Sequence, residues 1–162
     1  MKILIIALPR TGSTNLMDKI ARENNLSPIF EPFDKRKSYL YSSSLDNVVV
    51  KTIVEQHPNN LDLCKDFKEV ILLSRRNFIE HLESVAFLYH NIPKGYHNNT
   101  HYSYSTPPQD IIDLAHRRIN EMNAELETLS EQLNIPIQYY EDLFDPNGPD
   151  RLRIKSVEKN LL

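Results

Sequence analysis

Pro9-Arg-Thr-Gly-Ser-Thr14 places one cation, one glycine and three hydroxyl side chains within six residues. The segment follows the apolar run KILIIAL (2–8) and precedes Leu16, Met17, Ile20 and Ala21, which recur at helical spacing. A turn that opens a helix in this way aims several backbone N–H groups and the positive helix end at one point, an arrangement suited to an anion. Arg10 adds a charge, and Thr11, Ser13 and Thr14 add donors around Gly12. Other residues able to do chemistry lie far along the chain: Glu31 in PIFEPF (28–33), Lys51 inside the apolar run NVVVKTIV (47–54), and Arg75-Arg76 after EVILLS (69–74). A lysine in an apolar run is seldom buried without a partner.

The opening loop differs from the G-x-x-x-x-G-K-[ST] phosphate loop of nucleoside triphosphatases. Ser13 stands in the lysine slot, Ala7 in that of the first glycine, and the positive charge has moved to Arg10. Magnesium in such enzymes is held with help from an aspartate closing another strand. Here the corresponding runs end in Lys51-Thr52 and Arg75-Arg76. The pattern favours a metal-free site around a multiply charged anion. His90, His97 and His101 have no zinc-site spacing and no cysteine or carboxylate ligand among them, so no metal is expected.

Three segments carry a family resemblance. The strand-P-R-T-G-S-T-helix stretch resembles the 5′-phosphosulfate loop of sulfotransferases that use 3′-phosphoadenosine 5′-phosphosulfate (PAPS). RNFIEHLES (76–84) is similar to the family's 3′-phosphate signature, an arginine at a strand end followed eight residues later by serine. YEDLFDP (140–146) resembles a late stretch of the same fold. Arg10 in place of lysine is closest to the carbohydrate and bacterial glycolipid branches. The resemblance implies a P-loop-like fold, PAPS as sulfuryl donor and transfer to a hydroxyl acceptor, possibly a carbohydrate or glycolipid, by in-line displacement without metal. It assigns donor binding to Arg10, Thr11, Gly12, Ser13, Thr14, Arg76 and Ser84. Asn77 and Ser84 would lie about 10 Å apart along one helical face, letting Arg76 and Ser84 grip one phosphate.

Catalysis is expected from Arg10, Lys51 and Glu31. Arg10 and Lys51 would stabilise charge on the transferring and bridging oxygens. The resemblance implies Glu31 as general base, because Ile53 occupies the position where many cytosolic members carry a histidine. His57 and Asp34 are the alternatives. YEDL is read as structural, its tyrosine packing and its acids capping the segment that follows. The arginine-lysine-glycine loop that often follows YEDL in the family has no counterpart here. Two other readings stay open: an inactive module that binds PAPS or its by-product, and a kinase with a degenerate loop.

These residues need a scaffold. The 162-residue chain is long enough for one domain with its own core. A net charge of -3 argues against a general nucleic-acid partner. The single cysteine, Cys64, excludes an internal disulfide and fits a reducing compartment. Residues 3–8 are too short for a membrane span or a signal core, so a cytoplasmic protein is expected. The runs at 2–8, 47–54 and 69–74 and IPIQYY (135–140) read as strands. Helices are expected from Ser13 to about Asn25, over NNLDLCKDF, after Arg76, from a cap at Thr106 to about Leu133, and over DRLRIKSVEKNLL at the end. Residues 92–106 read as a long loop rich in tyrosine and histidine, suited to an acceptor lid. The alternation predicts a single α/β domain, a three-layer sandwich whose mostly parallel sheet has about four to five strands flanked by helices, as in P-loop NTPases.

Overall fold

The computed structural model describes residues 1–35, 41–91 and 105–144. Five strands form one sheet: β1 (Lys2–Ala7), β2 (Ser27–Phe30), β3 (Val48–Ile53), β4 (Glu69–Ser74) and β5 (Ile137–Tyr139). Their order is β2-β3-β1-β4-β5, and every pair is parallel. Helices α1 (Ser13–Asn24), α2 (Asn60–Cys64), α3 (Phe78–Asn91), α4 (Gln109–Leu133) and α5 (Tyr140–Leu143) complete the described fold.

Strict alternation along β1 divides the core in two. Ile3, Ile5 and Ala7 face Leu16, Met17, Ile20 and Ala21 of α1, together with Val49, Leu73 and Phe144. Leu4, Ile6 and Leu8 face the opposite layer, with Val85 and Ala86 of α3 and Ala115, Ile119, Met122 and Leu126 of α4. A central parallel strand covered on both sides must be apolar at every position, which is why KILIIAL lacks the polar alternation of an exposed sheet. The helices fit the same logic: the α4 residues on this core recur at three- and four-residue spacing.

The sheet reverses its winding between β1 and β4. α1 covers one face after β1, whereas α3 and α4 cover the other after β4. Ligands of open α/β sheets gather outside the carboxyl ends of strands at such a switch point. The turns at 8–12 and 74–77 meet there, and Leu8 N–H donates to the carbonyl of Leu73 at 3.1 Å.

Several local expectations need correction. β2 was not anticipated: Ser27–Phe30 contains a proline and only two large apolar residues, and it forms because it lies on the sheet edge beside β3. Thr106 does not cap α4. The helix begins at Gln109 with Pro108 at the cap position and no side-chain cap, and the Pro108 carbonyl takes the Ile111 and Ile112 N–H groups instead. The last strand is shorter than 135–140, because Ile135 is used to close α4. Asn134 is left-handed, Ile135 N–H donates to the Ser130 carbonyl, and Ser130 Oγ donates to that of Ile135. The expected terminal helix and all but the last two residues of the expected lid lie outside the described residues. Among the described residues, no helix is long and apolar enough to cross a membrane.

Candidate functional site

Residues 8–14 form a tight turn with two left-handed residues, Arg10 (φ 62°) and Gly12 (φ 72°). The left-handed region is open to glycine but costs a side-chain-bearing residue energy. Thr11 is buried, and its Oγ1 donates to the Leu8 carbonyl at 2.8 Å, so its hydroxyl holds the turn together. α1 then begins at buried Ser13 with no side-chain cap and no acidic residue in its first turn. The start of α2 is built differently, its N-terminus capped by the Asn59 side chain. A long helix whose first N–H groups receive no side-chain cap presents its positive end to an outside acceptor.

Gly12 is required for a second reason. A Cβ built there would lie 2.6 Å from Cζ of Phe144 and 3.2 Å from Cδ2 of Tyr140. Phe144 is buried and stacks on Tyr140 at 4.6 Å between ring centroids. The YEDLF segment is therefore the wall against which the turn is moulded. The segment that its acids were expected to cap lies outside the described residues. Glu141 reaches back and accepts the backbone N–H groups of Arg76 and Asn77, both at 2.9 Å. The start of α3 thus gains a carboxylate from 64 residues downstream. Burial opposes charge on Glu141, but these two N–H donors and Arg75 outweigh it and hold its carboxyl below the usual carboxylate range.

The cations are distributed unevenly. Nε of Arg10 donates to Oγ of Ser84 on α3 at 2.9 Å, joining two segments 74 residues apart. Arg76 does not meet Ser84 here. Its guanidinium forms a two-pronged pair with Asp142 (2.9 and 2.8 Å) and lies over the Tyr139 ring. Arg75 is more enclosed. It pairs with Glu80 at 2.7 Å, lies over the Tyr140 ring, and keeps a buried Nε without a hydrogen bond. A polar cleft of about 370 Å³ opens beside them, between Arg76 and Tyr139 on one side and Asn120, Asn123 and Glu127 of α4 on the other.

On the opposite side of β1, Lys51 and Glu31 form a direct ion pair. Their side chains are only 4% and 12% exposed, so each needs the other. Lys51 has the same parity as Val49 on β3 and therefore belongs to the α1 side of the sheet. Its Nζ lies 4.5 Å from the centroid of the Phe30 ring. Glu31 follows β2 in a left-handed conformation (φ 46°), and its N–H donates to the Lys51 carbonyl at 2.7 Å. Its second carboxylate oxygen accepts from Gln56 Nε2 at 3.1 Å. The Gln56 carbonyl is itself held by Ile53 N–H (3.0 Å) and Thr52 Oγ1 (3.2 Å), which fixes the amide's direction. Of the alternative bases, His57 stacks edge-on against Phe33 and accepts the Asn59 N–H, and Asp34 is buried with its N–H on the Glu31 carbonyl.

Sequence reasoning singled out Arg10, Lys51, Glu31 and Ser84, and the fold joins them in two pairs. It missed Gln56, for which the sequence carries no signal. It also missed His81, although that residue shares a helical face with Phe78 and Val85 and so had to point inward. His90 contacts Ser105 at 3.5 Å, while His97 and His101 lie outside the described residues. Burial pushes the Cys64 thiol up to about 11, which disqualifies it as a nucleophile at neutral pH.

The fold and site together define an α/β protein with an all-parallel five-stranded sheet and an arginine-bearing strand-to-helix turn at its switch point. No protein-family model, curated protein or solved structure matches the chain.

Proposed function

We propose that the chain is a PAPS-dependent sulfotransferase of P-loop-like fold, with the donor's sulfate end on the 10–14 turn. The observation that carries this reading is the Arg10–Ser84 hydrogen bond, which joins, at the switch point, the two segments that the resemblance assigns to donor binding. The backbone N–H groups at the start of α1 and the Arg10 guanidinium would take up charge on the sulfuryl oxygens. The acceptor hydroxyl oxygen attacks sulfur in line while the bond from sulfur to the bridging oxygen breaks, leaving a bisphosphate. The hydroxyl proton passes to Glu31. Lys51, paired with Glu31, would stabilise the oxygens on which charge grows. Arg76 and Ser84 would hold the 3′-phosphate. The Arg76–Asp142 pair is solvent-exposed and therefore weak enough for a dianion to displace.

Calorimetric titration with 3′,5′-adenosine bisphosphate against 5′-AMP, without magnesium, tests the donor site. Strong preference for the bisphosphate, reduced in Arg76→Ala, is the expected outcome; no binding to either removes the sulfotransferase reading. The acid partners already on Arg76 and Lys51 favour a second reading, a module that binds the nucleotide without turnover. A screen of carbohydrate, lipid and small-alcohol acceptors with labelled PAPS separates the two.

A further inference from the structure

α3 touches the anion-binding turn at two points. One is Ser84 on Arg10. The other is His81, whose Nε2 lies 2.8 Å from the carbonyl oxygen of Pro9. The two residues are three apart on the helix and so share one face. A carbonyl can only accept, so Nε2 carries the hydrogen and the neutral ring is the Nε2–H tautomer. His81 is fully buried, and its Nδ1 makes no hydrogen bond. An unpaired nitrogen in the core costs free energy, so this histidine calls for an explanation. That bond ends on the residue immediately before the strained Arg10. Left-handed backbone at a residue with a side chain persists only where its surroundings over-determine it. Here Leu8 is tied to Leu73, Pro9 to His81, Thr11 to Leu8, and the Arg10 side chain to Ser84.

We infer that His81 is a positioning residue for the anion-binding turn: its Nε2–H holds the Pro9 carbonyl so that Arg10 and the first N–H groups of α1 stay directed at one point. The role needs a donor at the Nε2 position. Arg75 and Glu141 are the ionisable groups that act on the ring, one from the β4–α3 turn and one from α5, and their influences oppose each other. The inference rests on the turn being an anion site, but the His81 tie to the turn does not.

Three variants test it. His81→Gln keeps a donor near the Nε2 position, His81→Asn carries an amide one carbon too short, and His81→Leu has volume but no donor. Amide hydrogen exchange is read for Leu8 and Leu16, the bonded N–H groups on either side of the turn, and, as an internal reference, for β1 and β4. The Leu and Asn variants are expected to exchange about three- to tenfold faster at Leu8 and Leu16, the factor one hydrogen bond carries, with the strands unchanged and His81→Gln near wild type. Exchange that stays the same in all three, or that rises equally in Gln and Leu, overturns the inference. Titration with 3′,5′-adenosine bisphosphate is then expected to show the same order of affinities. If the wild-type protein binds no bisphosphate, the sulfotransferase reading fails while the exchange data still decide the role of His81.

Discussion

At the scale of single residues, the site is governed by charges that cannot be left alone. Lys51 is almost wholly buried, and Glu31 nearly so. Removing either residue takes an opposite charge from the other in a poorly solvated place, which typically costs about 3–5 kcal/mol. Glu31→Gln and Lys51→Met are each expected to destabilise strongly, and the double variant by much less than their sum; equilibrium urea unfolding of all four proteins measures this. A purely additive result would mean that the pair is not coupled. His81 makes a different prediction. Burial is the main cause that holds its pKa below the ordinary 6.5, assisted by Arg75 and opposed by the Pro9 bond and Glu141. The unfolded chain therefore takes up a proton that the folded chain refuses. Stability should be full above about pH 6.5 and fall as the pH drops below it. Subtracting the stability–pH curve of His81→Gln from that of the wild type should leave this slope.

At the scale of elements, the turn, α3 and α5 form one unit. Gly12→Ala adds a Cβ at 2.6 Å from the Phe144 ring in a left-handed conformation, so steric and backbone costs combine. Its loss should exceed about 1 kcal/mol. Phe144→Ala alone should cost about 3–5 kcal/mol as a core truncation. In the double variant the clash disappears, so the total should fall short of the sum; thermal unfolding of the set decides it. Glu141 links α5 to α3 through two backbone N–H groups. Because its carboxyl is held below the usual range, that contribution is complete above about pH 4.5 and is lost as the pH falls through its folded value. Amide exchange at residues 76–81 should accelerate in acid in the wild type and be fast at every pH in Glu141→Ala.

At the scale of the whole molecule, one apolar strand separates the two halves of the candidate site. β1 lies between β3, which carries Lys51, and β4, which leads to Arg75 and Arg76. Its two faces anchor α1 on one side and α3 and α4 on the other, so any loosening of β1 should reach both halves. Ile119→Ala on α4, in the core on the far side of the sheet from Lys51 and Glu31, should cost about 2–5 kcal/mol of stability. Ligand affinity measured well below the unfolding temperature should stay near wild type, because the variant leaves the turn and both charge pairs intact.

Elements with local patterns are legible in the residues alone. Two-sided apolar runs marked β1, β3 and β4, and a helical stripe marked α4 to within a turn. The position of Arg10 between a strand and a helix marked the turn. Partners could not be read in the same way, because each is drawn from a distant part of the chain: Ser84 for Arg10, Glu31 for Lys51, Asp142 for Arg76, Phe144 for Gly12. β2 was invisible for the same reason, since an edge strand of four residues exists through its neighbour more than through its own composition. Periodicity records which way a side chain faces. Only the stacking of parallel strands, which brings the turns after β1 and β4 and the ends of β2 and β3 to one edge of the sheet, decides what it meets there.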